Sequence, residues 1–497
     1  MSAHRITQSE LESYLWGAAK LLRGLIDAGD YKAYIFPLVF LKRISDVWDE
    51  ERAAALAGYD GDEDLAAQPE NYRFAIPAGA HWDDIRSKSQ NIGAAIRKAM
   101  RSIEAANPDA LTGVFGDGDW SNKDLLSDAT LTDLVEHFSS KMLSLAALPE
   151  DELGNGYEYL IRKFADDSGH TAQEFYTNRT LVHLMARMLT PEPGDSVYDP
   201  TCGTGGMLIS CAAELKAQGK DYRRLRLYGQ ERNFTTAAIS KMNLFLHGIE
   251  DGQIAHGDTL AAPAFLTEEG ALRTFNVVLA NPPYSISAWD REAFTNDRYG
   301  RNLWGVPPQG RADYTFFQHI SASMDPKNGR CAVLFPHGVL FRLEEKDVRE
   351  QLVKSGMLES VIGLGAGLFF NSPMEAVVVT LRNGRPKKIR DKVLFINAVG
   401  LVARDRAQSF LRSEHQDAIL NAYRTFTGEP GLAAVASTAD IAANDFSLNI
   451  PLYVRTASAP AVGSDVATFV AAWQAQAQQT EALVGDLLKR LAGGDDK

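Results

Sequence analysis

Cysteine is nearly missing from this chain of 497 residues, with only Cys202, Cys211 and Cys331. They have neither the pairing of a disulfide framework nor the CxxC spacing of a zinc site, so they read as small buried residues in a reducing compartment. No metal site is expected. No apolar run reaches membrane-spanning length, and the opening MSAHRITQSELESYL holds no stretch of signal-peptide type, so the expected location is cytoplasmic, with no membrane partner. Positive charge is also short, 51 Lys and Arg against 64 Asp and Glu, for a formal net charge of -13. Phosphate neutralisation supplies most nucleic-acid affinity, which excludes a chain that holds a nucleic acid unaided through a broad basic surface. What remains is an ordinary globular composition, 45% hydrophobic and 23% charged, in a chain too long for one core.

Residues 1 to about 150 carry apolar positions at helical spacing, with Leu15, Ala18, Leu22, Leu25 and Ile26 on one stripe and Ser and Asp capping candidates in GDGDWSNKDLLSDATLTDL. From about Gly154 the pattern changes. SVYD, RLRLYGQE, QIAHGD, FNVVLANPP, GRCAVLFP, ESVIGL, EAVVVTLRN and KVLFINA read as strands, and helical stretches such as TTAAISKMNLFLHG separate several of them. That alternation predicts a mostly parallel, doubly wound sheet, whose ligands bind at the carboxyl ends of the strands. After a linker, ASAPAVGSD, the residues Val466, Val470, Trp473, Ala477, Thr480, Val484, Leu487 and Leu491 form a heptad-like seam. It packs either on its own domain or on a partner helix.

The chemistry concentrates at strand ends. In VYDPTCGTGGML a strand ends in Asp199, and a turn with Gly203, Gly205 and Gly206 lets the backbone approach a ligand at a helix N-terminus. No GxxxxGK followed by Ser or Thr occurs, and Asp199 stands where a carboxylate would repel a pyrophosphate but attract an ammonium or sulfonium. Glu231 ends the next strand, where an acid accepts from ribose hydroxyls, and Asp258 ends the third, within reach of a nucleoside's adenine amine. Singly, each acid is as well explained as a cap or loop carboxylate. Three at successive strand ends point to S-adenosylmethionine.

Asn281-Pro282-Pro283-Tyr284 closes a fourth strand on the same rim, and its prolines stiffen the turn. An exocyclic adenine amine is conjugated with its ring and is a poor nucleophile. Acceptors at the Asn281 side chain and the Pro282 carbonyl would favour a more tetrahedral nitrogen and stabilise the positive charge that grows during methyl transfer. Tyr284 would stack on a base flipped out of its duplex. Cytosine carbon-5 chemistry needs a cysteine, typically after proline, and here Thr201, Ser210 and Arg330 precede the cysteines.

With LWGAAKLLRGLIDAGDYKAYIFPLVFLKRISD, EFYTNR, the glycine turn and NPPY in place, the chain resembles the modification subunit of type I restriction-modification systems, an adenine-N6 DNA methyltransferase, over nearly its whole length. The resemblance implies an α/β chain: an N-terminal α-helical domain (1–150), a Rossmann-like S-adenosylmethionine-dependent methyltransferase domain (151–455), and a C-terminal linker and helical tail (456–497). It implies that Glu174, Phe175, Tyr176, Thr177, Asn178 and Arg179 join Asp199, Thr204, Gly205, Gly206, Glu231 and Asp258 around the cofactor, with Asn281, Pro282 and Tyr284 catalytic. The family commonly has proline where this chain has Asn178. It further implies DNA as substrate, a specificity subunit that reads the sequence between two modification subunits, and a restriction subunit that joins them in some assemblies. Arg291, Arg298, Arg301 and Arg311, in the long loop after NPPY, are candidates for DNA contact, against the alternative of a solvated loop. Phe316 is expected beside the cofactor and Phe317 in the core, and LRNGRPKKIRDK reads as a solvated hairpin or loop, against the alternative of phosphate contact. Rival readings are a solitary adenine methyltransferase, a methyltransferase for an RNA base or a protein glutamine, and an assembly subunit without activity.

Overall fold

The computed structural model describes residues 6–167, 177–368, 375–405 and 408–455. The first helix, Gln8–Leu21, starts from a reciprocal cap: the Thr7 hydroxyl accepts from the Glu10 amide at 3.3 Å, and the Glu10 carboxylate from the Thr7 amide at 2.9 Å. Leu15, Ala18 and Leu22 are buried as expected, but the stripe stops there. Gly24, at φ +82°, turns the chain out of the helix, so Leu25 is 48% exposed while Ile26 folds back inward. Helix Lys32–Gly58 is buried continuously from Tyr34 to Val47. It carries charge into the core only in paired form, Lys42 with Asp46 one turn on and Arg43 donating to the Leu148 carbonyl at 2.8 Å.

Helices Ile92–Ala106 and Asp128–Ser139, the latter capped by Ser127, complete this cluster. Two further helices join it from outside the expected helical domain. Glu150–Asp167 turns Leu153, Tyr157 and Leu160 into it, and Phe234–Leu246, which lies between two strands, adds Ile239, Met242 and Leu246. Helix Phe234–Leu246 therefore bridges the two bodies, with Ala237 and Leu244 on its other side packed in a core of the sheet.

Among the described residues eleven strands follow: β1 (Ser196–Asp199), β2 (Arg226–Glu231), β3 (Gln253–His256), β4 (Val277–Ala280), β5 (Arg330–Pro336), β6 (Leu358–Leu364), β7 (Ala376–Arg382), β8 (Lys392–Ala398), β9 (Ala403–Asp405), β10 (Gln408–Phe410) and β11 (Ala433–Ser437). The sequence candidates appear as β1 to β8. Nine strands form one sheet in the order β11-β8-β6-β7-β5-β4-β1-β2-β3, and β9 pairs with β10 apart from it. Strands β1 to β5 run parallel, as does β8 beside β6, whereas β7 and β11 are antiparallel to their neighbours.

The central strands are apolar on both faces because helices cover both. In β4, Val277 and Leu279 pack on one side with Leu181 and Leu208, while Val278 and Ala280 pack on the other with Phe317 and Ile320. The winding leaves β1 toward β3 on one side and toward β5 on the other. That reversal opens a crevice at the carboxyl ends of β1 and β4. Among the described residues, no helix is long and apolar enough to cross a membrane. The tail seam from Val466 to Leu491 lies outside the described residues.

Candidate active site

The crevice is floored by the turn after β1. Gly203 and Gly205 have φ of +53° and +82°, and a Cβ on Gly205 would also stand 2.7 Å from the Ser240 hydroxyl, so this position needs glycine. Gly206 is different, because a Cβ there would enter open space on the crevice side. The backbone thus leaves a cradle at the N-terminus of helix Gly206–Ala217.

Two acids face that cradle. Asp199, 1% exposed, accepts from the Thr201 amide at 3.0 Å; Glu231 accepts from the Gly203 and Asn233 amides at 3.1 and 2.7 Å. Burial pushes the Asp199 carboxyl up to about 7, against the Thr201 amide and with help from the charge of Glu231. Glu231 is raised too, chiefly by burial, with its amide partners opposing the shift. Two desolvated carboxylates at neighbouring strand ends favour a cationic ligand. Asp258 accepts from the Leu260 and Ala261 amides at 2.9 and 3.2 Å and lines the same large cavity as Glu231.

Asn281 sits immediately after β4. Its Nδ2 donates to Thr177 Oγ1 at 2.9 Å, and its Oδ1 accepts from the Tyr284 hydroxyl at 2.6 Å. Burial holds that phenol well above its usual value, so it remains a donor. Thr177, Asp199, Thr204, Gly206 and Asn281 line one small cavity, while Pro282 and Tyr284 line the larger one beside Glu231. The larger cavity measures about 1170 Å³, above the usual single-ligand range of roughly 300–1000 Å³.

Several expectations change. Arg179, expected around the cofactor, lines the small cavity and is also ion-paired with Glu158 of helix Glu150–Asp167, an acid that no local pattern marked. Asn178 acts as a cap: its Oδ1 accepts from the Thr180 amide at 3.0 Å and its Nδ2 donates to the Ser409 carbonyl at 2.9 Å. Glu174, Phe175 and Tyr176 lie outside the described residues. Arg301, a candidate for DNA contact, is engaged within the protein while lining the large cavity. It is 3% exposed, bridges Asp297 at 2.6 Å and donates to the carbonyls of Thr259 and Leu260, pinning the long loop to the rim.

Arg291 and Arg298 remain exposed on that loop, and Arg311 is half-buried. Phe316 lines the large cavity, and Phe317 packs in the core as expected. LRNGRPKKIRDK joins β7 to β8, which are not neighbours, so it is a loop and not a hairpin; Arg385 is buried and donates to the Leu358 carbonyl at 2.6 Å.

The sheet order thus sets two acids at the ends of β1 and β2 and an amide after β4 around one crevice. Residues 149–460 match the family model of the N-6 DNA methylases. The chain belongs to the N-6 DNA methylase family. Residues 11–138 of this methylase match a second model, the HsdM N-terminal domain.

The methylase is 29% identical over 481 residues to the MjaIX type I restriction enzyme methylase subunit of Methanocaldococcus jannaschii, covering 90% of this chain and 84% of that one. It is 26% identical to the MpnII methylase subunit of Mycoplasma pneumoniae, covering 90% and 89%. The solved type I methyltransferase subunit of Streptococcus thermophilus superposes with a TM-score of 0.78 at 29% identity, covering 90% of this chain and all of that one. This methylase is therefore a modification subunit of a type I restriction-modification system, an S-adenosylmethionine-dependent enzyme acting at adenine N6 of DNA. That family membership decides among the amine substrates the sequence left open. The acids at β1 and β2 and the cradle at Gly206 fit the cofactor's cationic and ribose groups.

Proposed function

We propose that the crevice between β1 and β4 is the methyl-transfer site of this N-6 DNA methylase, built from Asp199, Thr204 to Gly206, Glu231 and Asp258 on the cofactor side and Asn281, Pro282 and Tyr284 on the base side. The observation that carries this reading is the Asn281 amide, fixed at the end of β4 by Thr177 and bonded through its oxygen to a removable donor, the Tyr284 hydroxyl. An incoming adenine amine takes over that oxygen while Tyr284 swings to stack on the base. The Pro282 carbonyl accepts the second amine hydrogen. When bound, S-adenosylmethionine supplies the methyl group on a sulfonium. The chain's own residues align the amine, polarise it and exclude water, with alignment as the main catalytic device. Thr177 and the Asn178 cap position the cofactor side of the cavity.

A net charge of -13 supports reliance on a partner to hold DNA. By likeness to type I modification subunits, that partner is a specificity subunit that reads the DNA, two modification subunits flank it, and a restriction subunit joins where cleavage occurs. Residues 1–150, 151–455 and 456–497 serve as helical, catalytic and docking segments, in the cytoplasm. The test is a genome-wide map of modified adenines in a host that expresses the chain with its specificity subunit. N6-methyladenine is expected at one split, two-part motif, and an unmarked genome would refute the proposal.

Cofactor affinity should depend on pH. In the free protein Asp199 titrates near 7, and a cationic ligand beside it favours the carboxylate, so binding expels a proton below that value. Affinity should rise with pH by up to about tenfold per unit and level off above about 7. Calorimetry between about pH 5.5 and 8 measures this, and Asp199→Asn should flatten the profile. A flat profile in the unsubstituted chain would exclude Asp199 from the cationic end of the cofactor.

A further inference from the structure

We infer that Asp313 is a positioning residue for methyl transfer, holding the turn that carries Asn281 and Tyr284 through the Ser285 amide, with Arg342 and Glu345 holding Asp313 in turn. The inference rests on the reading of that turn as the base-binding side of the site. Ser285 follows Tyr284 directly and has φ +53°, a left-handed conformation that a non-glycine residue keeps only when its surroundings hold it. Its amide donates to Asp313 Oδ1 at 2.9 Å. Asp313 is 1% exposed and opens helix Asp313–Ala322. Instead of capping that helix, its carboxylate reaches across to the turn.

The second oxygen of the same carboxylate accepts from Arg342 Nη1 at 2.7 Å, and that nitrogen lies 3.4 Å from Glu345, which is fully buried. Gly338 makes room for the arrangement, since a Cβ there would stand 2.6 Å from Arg342 Nε. The Arg342 backbone is fixed too, because Arg349 donates to its carbonyl at 2.6 Å. A lone acid in a first helical turn would need none of this. A buried carboxylate held from one side by a guanidinium and spent on one strained amide fixes the direction in which Tyr284 leaves the chain, and with it the Asn281 oxygen. Asp313, Arg342 and Glu345 line neither the large cavity nor the small one beside Asp199.

The test uses the assembled modification enzyme, full-length chain with specificity subunit, and a DNA duplex carrying its target. Asp313→Ala should lower kcat by about 100-fold, while KM for DNA and Kd for S-adenosylmethionine stay within about threefold, as expected for misplacement of a reacting group. Asp313→Asn keeps an acceptor for the Ser285 amide and should recover to within about tenfold of the unsubstituted rate. Equal losses in the two variants, or normal turnover in Asp313→Ala while Asn281→Ala is inactive, would overturn the assignment and leave the reading of the turn intact. Activity retained by Asn281→Ala would overturn both. If Asp313→Ala does not fold, Arg342→Gln carries the same test, with kcat down and KM held; an unchanged kcat in that variant overturns the relay.

Discussion

Asn281→Ala is expected to lower the rate of methyl transfer roughly 1000-fold or more, the scale of losing a preorganised group aimed at developing charge. Its affinity for S-adenosylmethionine should change by no more than about threefold, because only a hydrogen bond to Thr177 at the cofactor side is lost with it. The asymmetry follows from where each atom of the amide points. The Oδ1 side faces the Tyr284 hydroxyl and hence the base, and the Nδ2 side faces Thr177 and the cofactor cavity. Aspartate at the same position keeps an acceptor, so Asn281→Asp should retain more activity than the alanine variant. Transfer of a labelled methyl group to target DNA, paired with calorimetry of cofactor binding, separates the two effects. Normal turnover in Asn281→Ala would remove the amide from the mechanism.

The second large effect is expected at Glu231. Its carboxylate already accepts from the Gly203 and Asn233 amides, on the glycine turn and at the cap of the following helix. The remaining lone pairs face the cavity, where ribose hydroxyls would bind. Glu231→Ala removes charge-assisted acceptors for two hydroxyls, each worth about 1.5–3 kcal/mol, so Kd for S-adenosylmethionine should rise on the order of 1000-fold. Glu231→Gln keeps one acceptor oxygen and should lie between, with the glycine turn still tied to it. Calorimetry decides the point, and a Kd within about threefold of the unsubstituted chain for Glu231→Ala would place the ribose elsewhere.

Much of this arrangement was legible before any coordinates, and what was not has a common physical reason. Strands β1 to β8 are short apolar runs bounded by turn residues, so pattern alone finds them. Of the remaining strands, ARD and QSF have no apolar run or alternation to read, and AAVAS is a run of small residues that does not mark a strand by itself; their pairing comes from neighbours brought up by the tertiary fold. The acids Asp199, Glu231 and Asp258 were readable because each follows a recognisable strand.

Glu158 and Asp313 were not, since their meaning depends on Arg179 and on Arg342 with Ser285, partners supplied by other elements. The pairing of Arg301 was hidden for the same reason. A basic residue in a polar loop looks solvated until Asp297 and two carbonyls close around it, although an aspartate four residues earlier was there to be noticed. Leu25 shows the limit of periodicity, which cannot see that Gly24 ends the helix before the stripe does.

Helix Phe234–Leu246 begins at Asn233, whose amide binds Glu231, and ends with Ile239, Met242 and Leu246 set into the helical core. Its first turn stands beside the proposed ribose site and its far side is set into the helical body. The amino-terminal helices are consequently no detachable module, since they back the helix whose cap binds Glu231. Cofactor binding should therefore raise their melting temperature, and a lesion deep among them should weaken cofactor affinity.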